Sequence, residues 1–156
     1  MKPSEAEIDL PRARTLALRW LTGREYSRRE LEDKLVKKGC AAEVAAQAVS
    51  ALEAEHLLSD ERFVETLISA RKRRGYGPLR IRRELQEKGV AEEAIERWLD
   101  TGSAEWLNEI RRVHRQKFGG RAPKSLSERA KQARFLQYRG FTFDQIQQAL
   151  NPRGQE

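Results

Sequence analysis

The sequence predicts an all-α fold of three tandem three-helix repeats that form an elongated, curved array. Three observations lead there. A capped helix, a terminating glycine and a second short helix recur at a spacing of about fifty residues, the mark of a repeat architecture. Val, Ile and Thr total seventeen of 156 residues and nowhere alternate strictly with polar ones, which disfavours strands. Charged residues make up 35% of the chain and apolar ones 38%, so each local core is thin and neighbouring repeats must share their apolar faces.

The first repeat is expected over residues 10–57, after a flexible acidic leader at 1–9. Its leading helix runs from Arg12 to Thr22 with Leu16 and Trp20. Ser27-Arg28-Arg29-Glu30 then has the form of a capping box, in which the hydroxyl accepts from the third residue's amide and the glutamate reaches back. Leu31 and Leu35 fall on one face of the helix that follows, and Gly39 supplies the left-handed residue that closes many helices. Val44, Ala45, Ala48, Val49 and Leu52 form the apolar stripe of the third helix.

The second repeat, 58–101, opens with a helix from Asp60 to Arg73 carrying Phe63, Leu67 and Ala70. Gly75-Tyr76-Gly77-Pro78 replaces the serine cap, with proline fitting the first helical turn. Ile81 and Leu85 follow, Gly89 stands fifty residues after Gly39, and Ile95, Trp98 and Leu99 correspond to Ala45, Ala48 and Val49. A hinge is expected at Asp100–Ser103. Trp98 and Trp106 flank it as rings that seal the join to the third repeat.

The third repeat, 102–151, has a leading helix from Glu105 to Phe118 with Leu107, Ile110 and His114, then a flexible loop at Gly119–Ser125. A helix starting at Ser127 carries Phe135 and Leu136 to Gly140. Thr142 to Gln145 forms another cap before Ile146 and Leu150, and 152–156 is a tail.

The net charge of +7 is unevenly placed. Arg71 to Arg83 holds seven basic side chains and no acid, and Arg111 to Arg139 holds ten and a single acid, Glu128. Arg outnumbers Lys by 22 to 9, and the planar guanidinium fork grips phosphate and carboxylate well. Such segregation suggests a positive surface for a polyanionic partner. The contact would be salt-dependent and largely indifferent to base identity, since no base-reading motif accompanies the arginines.

Chemistry is not legible. No local set of nucleophile, base and orienting group occurs, and His56 and His114 read as structural. Cys40, the single cysteine, reads as a small buried side chain. Gly75-Tyr76-Gly77 lies between helices and is a turn, not a phosphate loop. No enzyme activity, cofactor or metal is expected. No apolar run is long enough for a membrane span and the amino terminus lacks a secretory pattern, so the chain is expected in the cytoplasm as a monomer without membrane contact.

Several separated motifs resemble the bacterial regulatory protein RecX family. Leu58-Ser59-Asp60-Glu61-Arg62-Phe63, Arg74-Gly75-Tyr76-Gly77-Pro78, Arg80-Ile81 and Glu84-Leu85 resemble its central signature. Tyr26 to Leu31 with Lys34-Leu35 and Gly39 is similar to its first repeat, and Phe135-Leu136 through Arg139-Gly140-Phe141, with Ile146 and Ala149-Leu150, to its last. The resemblance spans roughly residues 12 to 151. It implies a modulator of the RecA recombinase that lies in the groove of the RecA filament on single-stranded DNA and restrains ATP hydrolysis and strand exchange. The family offers no catalytic residues to carry over.

The expected binding face is Arg71, Lys72, Arg73, Arg74, Tyr76, Arg80, Arg82 and Arg83, with Arg111, Arg112, Lys131, Arg134 and Arg139 as a second patch. Its partners would be the RecA filament and, weakly and without sequence preference, single-stranded DNA. The alternative, motivated by the basic clusters alone, is a stand-alone, sequence-nonspecific nucleic-acid-binding helical array.

Overall fold

A computed structural model describes residues 8–151; most of the leader and the tail 152–156 lie outside the described residues. Within them the backbone is helical, as α1 (Leu10–Leu21), α2 (Arg28–Lys37), α3 (Ala42–Ala54), α4 (Asp60–Arg73), α5 (Pro78–Glu87), α6 (Glu92–Trp98), α7 (Glu105–Phe118), α8 (Leu126–Arg139) and α9 (Phe143–Leu150). The order is three successive three-helix sets. Gly39, Gly89 and Gly140, spaced at the repeat, all take positive φ, of 115°, 78° and 102°.

The chain condenses into two compact units. Unit one comprises 1–66 and 85–95, and unit two 67–84 and 96–156, so the boundaries fall inside α4, α5 and α6.

In unit one, α1, α2 and α3 pack on one another. Asp9 caps α1 by accepting from the Arg12 amide at 3.0 Å, which starts that helix earlier than the periodicity suggested and gives the last leader residue a task. The fully buried face of α1 is Ala13 and Ala17, while Leu16 and Trp20 only flank it. Small side chains let the α1 backbone approach α3, and the large ones close the margin. Both halves of the predicted capping box form: Ser27 Oγ accepts from the Glu30 amide at 3.1 Å, and Glu30 accepts from the Ser27 amide at 3.2 Å. Ser27 Oγ also donates to the Lys88 carbonyl at 2.8 Å. Leu31, Leu35, Ala45, Ala48, Val49 and Leu52 are fully buried. Cys40 is buried and free, and burial pushes its thiol pKa up.

In unit two, α9 packs on α7 and α8. Trp106, Ile110, Val113, Leu136, Phe141, Ile146 and Leu150 are buried, and Trp106 meets Phe141 edge-on at 6.5 Å. His114 is buried against Gln132, with Nε2 and Oε1 2.8 Å apart, as its place on the apolar face implied. His56, after α3, is exposed and takes a left-handed φ of 62°. The cap at Thr142 and Gln145 forms as expected.

Three expectations are corrected. Ser125, not Ser127, caps α8, accepting from the Glu128 amide at 3.1 Å; the box spacing counts back three residues from Glu128. The two tryptophans are not equally buried: Trp98 is 41% exposed, whereas Trp106 is buried. Nor is Asp100–Ser103 a free hinge: Trp106 Nε1 donates to the Asp100 carbonyl at 3.0 Å and Gln145 Nε2 to the Thr101 carbonyl at 2.8 Å. No helix among the described residues is long and apolar enough to cross a membrane.

Candidate functional site

All thirteen expected binding residues lie in unit two, yet they divide into two kinds. One kind is spent inside the fold. Arg71, at the end of α4, makes a two-pronged pair with Glu84 of α5, at 2.8 and 2.6 Å. The Glu84 carboxylate raises the Arg71 pKa further above its usual value. Lys72 Nζ lies 2.6 Å from Glu105 of α7. Arg112 donates to the Lys72 carbonyl at 2.7 Å and pairs with Glu109 at 2.9 Å. These three cations fasten α4, α5 and α7 and are partly shielded.

Arg80 and Arg139 serve a second joint, where the α4–α5 turn meets the α8–α9 turn. There the Gly77 amide donates to the Arg139 carbonyl at 2.7 Å and the Leu79 amide to the Gly140 carbonyl at 2.9 Å. A Cβ on Gly77 would lie 2.6 Å from the Gly140 carbonyl carbon, so the two backbones touch where only glycine fits. Across this joint Arg139 donates to the carbonyls of Arg74 and Gly75, at 3.0 and 3.4 Å, and Arg80 to that of Tyr138, at 3.4 Å. Arg80 was expected on a solvated face. It is instead half-buried, with its guanidinium carbon 4.0 Å from the centre of the Tyr76 ring and 5.5 Å from that of Tyr138.

The other kind faces water. Arg73, Arg74 and Arg83 are exposed around the α4–α5 corner, and Arg111, Lys131 and Arg134 are exposed on α7 and α8. Arg82 is intermediate. On α5, Arg83 lies about 60° from Arg80 and about 100° from Arg82 around the helix axis, so the three do not share one stripe. The absence of acid between Arg71 and Arg83 suggested unpaired charge throughout, but the pairing acid, Glu84, stands one residue beyond that window. The sequence reading also passed over Tyr138 and Phe143, which are 75% and 73% exposed. A signal existed for the first, because Lys131, Arg134 and Tyr138 have the i, i+3, i+7 spacing of one helix face.

Charge sums sharpen the contrast. Unit two holds nineteen Lys and Arg against eight Asp and Glu, a net of +11, and unit one twelve against sixteen, a net of −4. Eight acids cannot pair nineteen cations within unit two. Its surface is therefore cationic even after the internal pairs form.

Comparison with known proteins places this architecture. The family models for the first, second and third three-helix domains of RecX match residues 13–52, 59–99 and 104–150 in order. The chain belongs to the RecX family. Regulatory protein RecX of Pseudomonas fluorescens strain Pf-5 is 41% identical over 143 residues, covering 92% of each chain. That of Acidithiobacillus ferrooxidans is 44% identical over 135 residues, covering 86% of each. The crystal structure of RecX from Lactobacillus salivarius superposes with a TM-score of 0.77 at 18% identity, covering 95% of this chain and 98% of that one, and so shares the fold. RecX proteins are regulatory proteins, and the all-helical three-domain order matches the one read from the sequence.

Proposed function

We propose that this chain regulates the RecA recombinase by binding the RecA filament on single-stranded DNA and restraining its ATP hydrolysis and strand exchange. Membership of the RecX family supports the recombinase as partner, and the observation that carries the binding mode is the +11 charge of unit two. A nucleoprotein filament presents dense negative charge, and displaced counterions favour a cationic ligand. In this reading Arg73, Arg74, Arg83, Arg111, Lys131 and Arg134 meet the partner directly. Arg71, Lys72, Arg80, Arg112 and Arg139 act indirectly, by holding the turns that present them.

The test is a titration of the purified chain into RecA with single-stranded DNA and ATP. Hydrolysis is expected to fall at ratios near or below one chain per recombinase. Unchanged hydrolysis across the titration would sink the proposal. A stand-alone nucleic-acid-binding array, the alternative, would bind bare strands and be blocked by a RecA coat, so comparing the two substrates separates the readings.

A further inference from the structure

We propose that Tyr138 is a stacking site for an unpaired nucleobase, so that this face of unit two takes single-stranded nucleic acid by its bases as well as its phosphates. The inference deepens the reading of the cationic surface given above and rests on it.

The observation is an alternating series of cations and rings. Lys117 Nζ lies 5.2 Å from the Phe135 ring centre, and the Arg139 guanidinium carbon 4.9 Å from Phe135 and 5.6 Å from Tyr76. Arg80 then lies between Tyr76, at 4.0 Å, and Tyr138, at 5.5 Å. The series begins against the partly buried Phe135 and ends on Tyr138, whose ring is mostly in water. Each inner ring has a cation on it from inside the fold. Tyr138 has Arg80 nearby, and its remaining surface is uncovered.

An aromatic ring of this size left in water, beside a guanidinium that limits its motion, offers a partner a flat face at small ordering cost. Nucleobases use such faces: each has a π-surface, and stacking on an aromatic side chain tolerates any base. The neighbours suit the rest of a strand. Lys131 and Arg134 are exposed two turns and one turn before Tyr138 on the same face of α8, where they can accompany a phosphate backbone. An acidic protein surface would use those two cations and could also bury the ring, so the dependence on bases is what separates the two partners. Duplex DNA keeps its base faces stacked internally, so the site favours unpaired strands.

The experiment compares a twenty-nucleotide thymidine strand with an abasic strand of equal length and charge, each fluorescently labelled, by anisotropy at several salt concentrations. The wild-type chain is expected to bind the base-bearing strand more tightly by roughly five- to 150-fold, the range for one stacked base. Tyr138→Ala is expected to close that gap while leaving the abasic affinity unchanged, and Tyr138→Trp to keep it. Lys131→Ala and Arg134→Ala are expected to weaken both strands alike, each reducing the slope of log affinity against log salt by about 0.7. Equal binding of the two strands by the wild-type chain overturns the proposal in favour of a general polyanion or acidic-protein surface. A gap that survives in Tyr138→Ala overturns it too, as does failure to bind either strand; RecA regulation is then still judged by the hydrolysis titration alone.

Discussion

Unit one pairs Arg14, Arg24, Arg28, Arg29, Arg62 and Lys88 with carboxylates, some on the same helix and others from distant parts of the chain. Arg14 grips Glu55 at 2.9 and 2.8 Å, Arg28 reaches Glu53 at 2.7 Å and Glu32 at 3.0 Å, and Arg24 and Lys88 both meet Glu30 at 2.9 Å. Unit two pairs Arg71, Lys72 and Arg112, and the rest of its cations outnumber the acids available within it. Both interiors contain fully buried aliphatic side chains, to which unit two adds the rings of Trp106 and Phe141. Helical units of similar interior can therefore carry surfaces of opposite net charge, −4 on unit one and +11 on unit two. A cation's place in the sequence says little about this; what matters is whether the fold brings a carboxylate or a ring to it.

If the interiors are equivalent, truncating either one should cost about the same. Leu85→Ala in unit one and Leu136→Ala in unit two, both at 0% exposure, should each lower unfolding free energy by roughly 2 to 5 kcal/mol in urea denaturation. A cost confined to one unit would break the comparison. The next effect is specific to unit two. Gly77→Ala forces a methyl against the Gly140 backbone and should cost about 1 to 3 kcal/mol. Gly23→Ala, whose added carbon would lie 3.5 Å from the nearest atom, should be tolerated. Thermal unfolding of the two variants distinguishes a packed joint from a loose turn.

The smallest effects belong to the carboxylates of unit one and appear as pH dependence. Burial works to raise the Glu30 pKa, but hydrogen bonds from Arg24, Lys88 and the Ser27 amide outweigh it and leave that pKa below the ordinary value. Its contribution is therefore present above the unfolded-state pKa, about 4.3, and lost as pH falls through the lower folded value. Asp60 has the opposite sign. Burial, aided by nearby Glu53, raises its pKa against the hydrogen bond from the Arg28 amide, so stability declines as pH rises through that value. Asp60→Asn keeps an acceptor for the Arg28 amide and should be neutral or stabilising at pH 7, by less than about 1 kcal/mol. Melting temperatures of both proteins from pH 3 to 8 should converge toward the acid end; a variant less stable at pH 7 would contradict the assignment.

What the sequence disclosed and what it hid follow from distance along the chain. The caps at Ser27 and Thr142 were legible because donor and acceptor stand three residues apart. The glycine spacing was legible because each helix needs its own stop. The fate of the arginines was not: Arg71 finds Glu84 thirteen residues away, and Arg139 finds the Arg74 carbonyl sixty-five away. Trp98 misled because alignment with Ala48 carries over position but not surroundings; Ala48 is buried and Trp98 is not. Ala13 and Ala17 were overlooked in favour of Leu16 and Trp20, since size suggests burial while close helix approach demands small residues.

Under the proposed function, unit two, rather than the chain's total charge, engages the RecA filament. Two charge-reversed variants test it: Arg73, Arg74 and Arg83 to Glu in unit two, and the equally exposed Arg19, Lys37 and Lys38 to Glu in unit one. Both change net charge by the same amount. Sedimentation with RecA assembled on single-stranded DNA should show binding lost at least tenfold in the first variant and nearly kept in the second, with helix content unchanged in both. Equal loss in the two, or loss only in the second, would contradict the account.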